Sequence, residues 1–319
     1  MAYDLTAPLV IGISSRALFN LEEENAVFEE LGLKAYADYQ REHEKDVLLP
    51  GPAFQLVRAF LNLNRLHGDD RKVEVIIMSR NSPETSLRII HSIEHYGLDI
   101  TRAALLSGAD VAPYLKAFKT DLFLSAYAPD VKQAVDNGVA AGMILTGKQH
   151  ANSCEEIGQI RVAFDGDAVI FSDESECRFK EEGMEAFYKY EKEHADEPLK
   201  EGPFAKLLMK LSAIQECFPT TIELSPLRLA IVTSRSLPSH FRVIKTLRKW
   251  GVYVDEAYFL GGLRKDELLK AFGAHIFFDD QDTHLSESSK YVPAGKVPYH
   301  SNSQINEVIK AKSDKKAAE

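Results

Sequence analysis

Short apolar runs separated by long charged stretches set the rhythm of this chain. Val10–Ser14, Val75–Ser79 and Leu122–Ser125 read as strands, and so do Val162–Asp165, Leu229–Thr233 and Ile276–Asp279 further on. Each run is continuously apolar rather than alternating, the pattern of a parallel strand covered on both faces. Between them lie charged, helix-rich segments, amphipathic helices and, in each half, one more short strand. Strands alternating with helices predict an α/β fold of doubly wound, Rossmann-like units, whose ligands bind beyond the C-terminal ends of the strands.

The halves repeat one another. Ile13-Ser14-Ser15-Arg16-Ala17-Leu18-Phe19 lies over Phe164-Asp165-Gly166-Asp167-Ala168-Val169-Ile170 at an offset of 151 (165 less 14). The same offset lays Tyr39-Gln40-Arg41-Glu42-His43-Glu44 over Tyr190-Glu191-Lys192-Glu193-His194-Ala195, and Gly51-Pro52 over Gly202-Pro203. Later segments match at 154 (260 less 106): Leu106-Ser107-Gly108 with Leu260-Gly261-Gly262, and Lys116-Ala117-Phe118 with Lys270-Ala271-Phe272. Two related doubly wound units from an internal duplication are therefore expected. They would span 1–150 and 158–300, with a boundary in the polar stretch Gly147–Gly158 around Lys148, Gln149, His150, Asn152 and Ser153. The Lys-rich tail, 301–319, reads as a frayed helix or disordered end.

Composition narrows the classes. At 319 residues and 45% hydrophobic content the chain can bury two ordinary cores. A net charge of −10 with no basic cluster argues against nucleic-acid binding. Cys154, Cys177 and Cys217 form no C-x-x-C pair, so buried reduced thiols are expected rather than a disulfide framework or zinc site. No apolar stretch approaches the ~20 residues of a membrane span, and Leu9–Ile13 is too short for a signal peptide, so a cytoplasmic location without membrane contact is expected.

Candidate chemistry gathers at strand ends. Asp165 and Asp167 follow an apolar run two residues apart, and on an ending strand both would face one side, where one carboxylate can attack while the other moves a proton. Alone, Asp-Gly-Asp is equally turn chemistry, a Ca²⁺ site or a helix cap. Three further features follow in order. Thr233, with Ser234 and Arg235, ends a strand in a hydroxyl suited to a phosphate oxygen, or to an N-cap. Lys265, after Gly261-Gly262, supplies a cation, with Lys245, Lys249 and Lys270 as rivals. Asp279 and Asp280 end another apolar strand.

In this order the motifs resemble those of the haloacid dehalogenase (HAD-like) superfamily of phosphohydrolases. More closely, Phe164–Val169 continuing through Phe171-Ser172-Asp173-Glu174, with Phe277-Phe278-Asp279-Asp280-Gln281, is similar to the cytosolic 5′-nucleotidase type I family. Ser14–Phe19, Pro50-Gly51-Pro52-Ala53-Phe54 and Ile93-Glu94-His95-Tyr96-Gly97 extend the resemblance to the first half, over roughly residues 9 to 300. The resemblance implies Mg²⁺-dependent hydrolysis of nucleoside 5′-monophosphates, adenosine monophosphate first. Asp165 would be the nucleophile, and Asp167 the group that protonates the leaving oxygen and later activates water. Mg²⁺ would sit between the Asp165 carboxylate, the Asp167 backbone carbonyl and Asp279 or Asp280. Thr233 and Lys265 would stabilise the transferring phosphoryl group, with Ser234 and Arg235 beside the substrate. Residues 172–226 fall where the superfamily inserts a small helical cap. A phosphatase of another small phosphoester, such as a sugar phosphate, and a non-catalytic nucleotide-binding regulator are the competing readings.

The first copy has lost its acids: Ser14, Arg16, Ser125 and Ala126 stand where the second has Asp165, Asp167, Asp279 and Asp280, while Ser79 matches Thr233. It is expected as a structural partner, or, through Arg16 and Arg80, as the site of an anionic nucleotide effector. His43 and His194 read as surface or packing residues, and Phe19, Phe171, Tyr188 and Tyr258 as core. An acidic two-domain enzyme of this kind is expected to form homo-oligomers.

Overall fold

The computed structural model describes residues 3–66, 70–145, 157–219, 221, 223–237 and 239–318, the side chains of 312–318 excepted. Of the expected boundary, 147–158, residues 147–156, with Cys154, lie outside the described residues. The chain divides into two compact units, 1–160 and 161–319.

In the first unit β1 (Leu9–Ile13), β2 (Val73–Ser79), β3 (Arg102–Leu105), β4 (Leu122–Ser125) and β5 (Ala140–Leu145) lie in the order β3-β2-β1-β4-β5, every adjacent pair parallel. The second holds β6 (Ile160–Phe164), β7 (Leu227–Thr233), β8 (Glu256–Phe259), β9 (Ile276–Asp279) and β10 (Ala294–Lys296), ordered β8-β7-β6-β9-β10. The β7–β8, β6–β9 and β9–β10 pairs are parallel. Both orders are the same. β1, β2, β4 and β9 are buried at every residue, as continuous apolar runs demand of strands covered on both faces. The last strand of each unit was not foreseen; in β10, Ala-Gly-Lys carries no β-branched residue to announce it.

Helices cover the sheets by presenting one apolar stripe each. Helix 87–95 buries Ile89 and Ile93, and helix 240–250 buries Val243 and Leu247, each pair one turn apart. The segment expected as a cap, 172–226, carries helices Glu174–Glu182, Met184–Glu193 and Ala205–Gln215. The third buries Leu207, Leu208 and Leu211 against the strands, so it belongs to the sheet's covering layer. The first unit carries matching helices over 22–42, kinked at Gly32, and 54–66. Gly32 corresponds to Gly183, and both adopt positive φ (81° and 87°). Of the two alternatives for the tail the chain takes the helix, Ile305–Ala318, whose start is anchored by fully buried Ile305 and by the Ser303 hydroxyl on Asp173. Among the described residues no helix is long and apolar enough to cross a membrane. Cys177 is buried as expected, whereas Cys217, just past the end of helix 205–215, is exposed; both are free thiols.

Hydrogen bonds repeat with the strands. Ser14 N–H donates to Leu124 O at 2.9 Å and Asp165 N–H to Phe278 O at 2.8 Å. Leu48 N–H donates to Ser92 Oγ and Leu199 N–H to Thr246 Oγ1. His43 and His194 each stack on the tyrosine four residues earlier, with ring centroids 4.0 Å apart, and meet its carbonyl through Nδ1, which accounts for the paired Tyr-x-x-x-His strings. Phe19 and Phe171 are fully buried, as expected.

The matched Gly-Pro dipeptides have a steric cause. Gly202 N–H donates to Ile170 O at 2.9 Å, and a Cβ at Gly202 would stand 2.3 Å from Phe171 O. Gly51 N–H makes the equivalent bond to Leu18 O at 2.8 Å, with a Cβ 2.7 Å from Phe19 backbone atoms. Backbone cannot yield as a side chain can. Gly202→Ala is expected to destabilise the protein by about 1–3 kcal/mol, read as a lowered urea midpoint.

In the second unit His275 Nδ1 accepts the Arg161 N–H at 3.0 Å, as Asp121 accepts Val10 N–H in the first. Burial, aided by the Arg161 charge, lowers the His275 pKa from 6.5 to about 4. The unfolded chain therefore binds a proton near pH 6.5 that the folded chain refuses until about 4, and stability falls as pH drops through that window. His275→Asn keeps an acceptor for Arg161 without titrating. Urea midpoints at pH 7.5 and 5 should fall further for the native chain than for this variant; equal falls would count against the assignment.

Candidate active site

Asp165 follows β6 directly, its N–H held by Phe278 O of β9, so the central strands fix where its carboxylate emerges. The strand ends one residue earlier than expected, and a turn rather than strand alternation sets the second acid. Gly166–Ile170 is a wide helical turn closed by Phe171 N–H on Gly166 O at 2.9 Å, an i+5 bond. The first unit closes the same place with the i+4 bond from Phe19 N–H to Ser15 O. The second therefore holds one extra residue, and Phe19 corresponds to Phe171, not to Ile170 as the ungapped alignment has it. The ring pairs agree: Phe19 packs on Tyr96, and Phe171 on Trp250. Ala168 absorbs the insertion at φ 62°, left-handed backbone that costs a non-glycine residue about 1 kcal/mol, while Asp167 stays extended (φ −71°, ψ 140°).

One cation organises the acids. Lys265 Nζ lies 2.9 Å from Asp165 Oδ1 and 2.7 Å from Asp279 Oδ2, all three side chains being buried. Burial disfavours the charged ammonium, but Asp165 and Asp279 outweigh it and raise the Lys265 pKa. Burial raises Asp165 to about 7, against Lys265 and with help from Asp279 and Asp167. Burial also acts to raise Asp279, but Lys265 and His284 overcome it and hold that acid low. His284 Nδ1 lies 3.0 Å from Asp279 Oδ2, and Gln281 N–H donates to Asp279 Oδ1 at 2.8 Å.

Asp280 turns to other partners. Its Oδ2 accepts the Tyr299 hydroxyl, and its Oδ1 is buried without a hydrogen-bond partner among the described residues, as is Glu176 Oε2. Burial, then Glu176, Asp279 and Asp165, push its pKa well up. Glu176 Oε1 accepts from Lys180 and Gln281, and burial raises its pKa too.

The remaining expected residues divide. Thr233 is buried at the end of β7, its Oγ1 accepting Arg235 N–H at 3.2 Å and lying 3.1 Å from where a Gly166 Cβ would be. Ser234 is exposed. Arg235, expected beside the substrate, is buried and turned onto Asp167: Nε to Oδ2 at 2.9 Å and a terminal nitrogen to Oδ1 at 2.6 Å. The rival lysines do not replace Lys265; Lys245, for one, pairs with exposed Asp196. In the first unit Arg16 is paired with Glu22, and Arg80 with Asp130.

Crowded buried carboxylates with a single lysine between them suit a hard divalent cation, which would lower their raised pKa values and engage the bare Asp280 oxygen. Ligand atoms of Asp165, Asp279 and His284 all lie within 4.8 Å of one another. Sequence reading missed His284, Glu176, Tyr299 and Glu191. Of these only Glu191 left a signal, standing where the otherwise similar first-copy string has Gln40.

A family model for 5′-nucleotidase matches residues 1–304. The chain belongs to the 5′-nucleotidase family. Human cytosolic 5′-nucleotidase 1B is 39% identical over 290 residues, 88% of this chain and 47% of the relative. The chain thus spans about half the length of that relative. Among solved structures, histidinol dehydrogenase from Elizabethkingia anophelis aligns over 95% of this chain and 82% of its own at 10% identity, with a TM-score of 0.25. Membership of the 5′-nucleotidase family agrees with the motif strings of both halves.

Removing Lys265 would leave buried acids facing one another, a loss of about 3–5 kcal/mol for a broken buried pair. Lys265→Met should lower the urea-unfolding free energy by that order in EDTA-treated protein near pH 8.

Proposed function

We propose that the second unit hydrolyses nucleoside 5′-monophosphates to nucleoside and phosphate, with adenosine 5′-monophosphate the substrate to test first. The observation that carries this reading is Lys265 seated between Asp165 and Asp279 at 2.9 and 2.7 Å, within a chain of the 5′-nucleotidase family. We further infer that the two units descend from one duplicated α/β unit, the first now lacking the acids. Identical strand orders and the repeated hydrogen bonds support this. We infer that helices 174–182 and 184–193 are the part of 172–226 that acts as a small cap. The relative's name supports a cytosolic location.

In the proposed mechanism an Asp165 carboxylate oxygen attacks phosphorus, forming an aspartyl-phosphate while the bond to the 5′ oxygen breaks. Asp167 gives that oxygen its proton, and the nucleoside leaves. Asp167 then takes a proton from water, whose oxygen attacks phosphorus and releases phosphate, restoring Asp165. Such proton transfers contribute typically about 10²–10⁴-fold. Lys265 keeps Asp165 and Asp279 together against their repulsion and sets the attacking oxygen at its fixed place. The Thr233 hydroxyl and the backbone beside it offer donors to phosphoryl oxygens. Asp165, Asp279 and Asp280, with the Asp167 backbone carbonyl, would hold Mg²⁺. When bound, that ion supplies positive charge to the phosphoryl oxygens as charge develops on them.

Asp165→Asn should lower phosphate release from adenosine 5′-monophosphate by at least about 10³-fold, as expected for loss of a covalent nucleophile. EDTA should abolish release and Mg²⁺ restore it. Undiminished turnover in either experiment would refute the mechanism. A panel of ribo- and deoxynucleoside monophosphates against sugar phosphates would assign the leaving group, and faster turnover of sugar phosphates would replace the nucleotide reading.

A further inference from the structure

We propose that Arg235 and Glu191 are positioning residues that set the Asp167 carboxylate for proton transfer; this rests on the hydrolytic reading above. Arg235 reaches both oxygens of Asp167, at 2.9 and 2.6 Å, with the planar fork of its guanidinium. Its remaining terminal nitrogen donates to Glu191 Oε2 at 2.5 Å. Glu191 Oε1 in turn accepts from Arg242 at 2.9 Å and from the Ser175 hydroxyl at 2.9 Å. The side chains of Arg235 and Glu191 are 1% and 0% exposed, whereas Asp167 is 19% exposed. The partly open carboxylate is thus clamped from its buried side by an arginine that has no freedom of its own.

The first unit separates this clamp from the fold. Arg242 and Arg88 correspond, and both do the same structural work. Arg242 Nε donates to Glu197 O and Arg88 Nε to Asp46 O, each at 2.9 Å, and each arginine has a buried acid partner. In the first unit that acid is Glu24, with Gln40 at the place of Glu191; in the second it is Glu191, with Ser175 at the place of Glu24. Only in the second does the acid sit where it can also hold the residue after Thr233-Ser234. The three members of the clamp, Asp167, Arg235 and Glu191, are replaced together by Arg16, Asn81 and Gln40. The arginine–acid pair that the architecture uses survives in both units; the branch that leads to Asp167 exists only beside the acids.

Positioning through Asp167 predicts a loss that depends on the leaving group. A nucleoside 5′ oxygen departs poorly unless protonated, whereas p-nitrophenolate departs without help. Arg235→Lys keeps the charge but cannot span both Asp167 oxygens, and Glu191→Gln loosens Arg235 while leaving Asp167 intact. With the full-length chain and Mg²⁺, each variant is expected to lower kcat for adenosine 5′-monophosphate about 10–100-fold, as for a misplaced catalytic group. KM should stay within about threefold, and single-turnover release of p-nitrophenolate, which precedes the water-activating step that both substrates share, should change by less than about threefold. In an Asp167→Asn background neither substitution should lower adenosine monophosphate turnover further, because the group it positions is gone. Equal losses in the single-turnover release of nucleoside and of p-nitrophenolate, losses that multiply with Asp167→Asn, or no loss at all would overturn the proposal. If Arg235→Lys fails to fold, Glu191→Gln decides by the same comparison. Asp165→Asn separates the two levels: p-nitrophenyl phosphate hydrolysis that survives it would sink the reading of the site itself, and the positioning role with it.

Discussion

Three buried groups, Asp165, Lys265 and Asp279, constrain the second unit more than any other contact. Carboxylates taken out of water repel each other and resist ionisation, and a buried ammonium resists charging as well. Together they satisfy one another: Lys265 stands within 3 Å of an oxygen on each acid. The arrangement demands that three chain segments arrive at one point, and the parallel sheet supplies this. β6 and β9 are hydrogen-bonded neighbours, so Asp165 and Asp279 leave adjacent strands on the same edge. Lys265 precedes helix 266–272, whose chain then returns through β9, so the cation and its second partner are separated by a single helix.

Asp167 needs a different solution. It lies past the strand, where the ladder no longer fixes direction, and backbone closure takes over. The extra residue of the 166–170 turn, with Ala168 in left-handed conformation, carries Asp167 towards Arg235 rather than on around an α-helical turn. Gly202 pins the far end of that turn through Ile170 O, at an approach only a residue without Cβ allows. Local strain at Ala168 is offset by fixed neighbours on both sides, Phe278 before the turn and Gly202 after it.

Much of this was legible in the sequence, and the limits have physical causes. Continuous apolar runs located three strands of each unit because buried parallel strands have no polar face to interrupt them. β10 escaped because three residues, Ala-Gly-Lys, carry too little pattern. The repeat was visible, but an ungapped alignment could not show an insertion inside a five-residue turn; hydrogen-bond closure at i+5 against i+4 does. Asp165, Lys265 and Asp279 come together because strand ends and the segment before a helix are positions a sequence pattern can locate. The direction of Arg235 was not legible: adjacency to Thr233 suggested the substrate, and only the buried partner Glu191, 44 residues away, turns it onto Asp167. Tyr299 and Glu176 meet Asp280 and its neighbours through tertiary packing alone, for which no local spacing exists.

The first unit shows why such a site changes as a set. Val111 occupies the place of Lys265 and is fully buried in an apolar cluster with Leu115 and Phe123. Ser14 and Ser125 stand for Asp165 and Asp279, and the paired Ser15 and Ser79 hydroxyls, 3.1 Å apart, fill the position of Gly166 and Thr233. Losing the lysine alone would strand two buried carboxylates; losing the acids alone would strand a buried ammonium. Either intermediate costs more than the full network or its complete apolar and hydroxyl replacement, since breaking one partner of a buried pair is expensive while exchanging the whole group for well-packed neutral side chains is nearly neutral. Charge at these strand ends is therefore all or none. The same reasoning extends to Arg80, whose pairing with Asp130 places a cation and an anion at the positions of Ser234 and His284. The first unit's strand ends pair cation with anion, whereas around Lys265 the acids outnumber the lysine and leave, among the described residues, Asp280 Oδ1 and Glu176 Oε2 with no hydrogen bond to satisfy them.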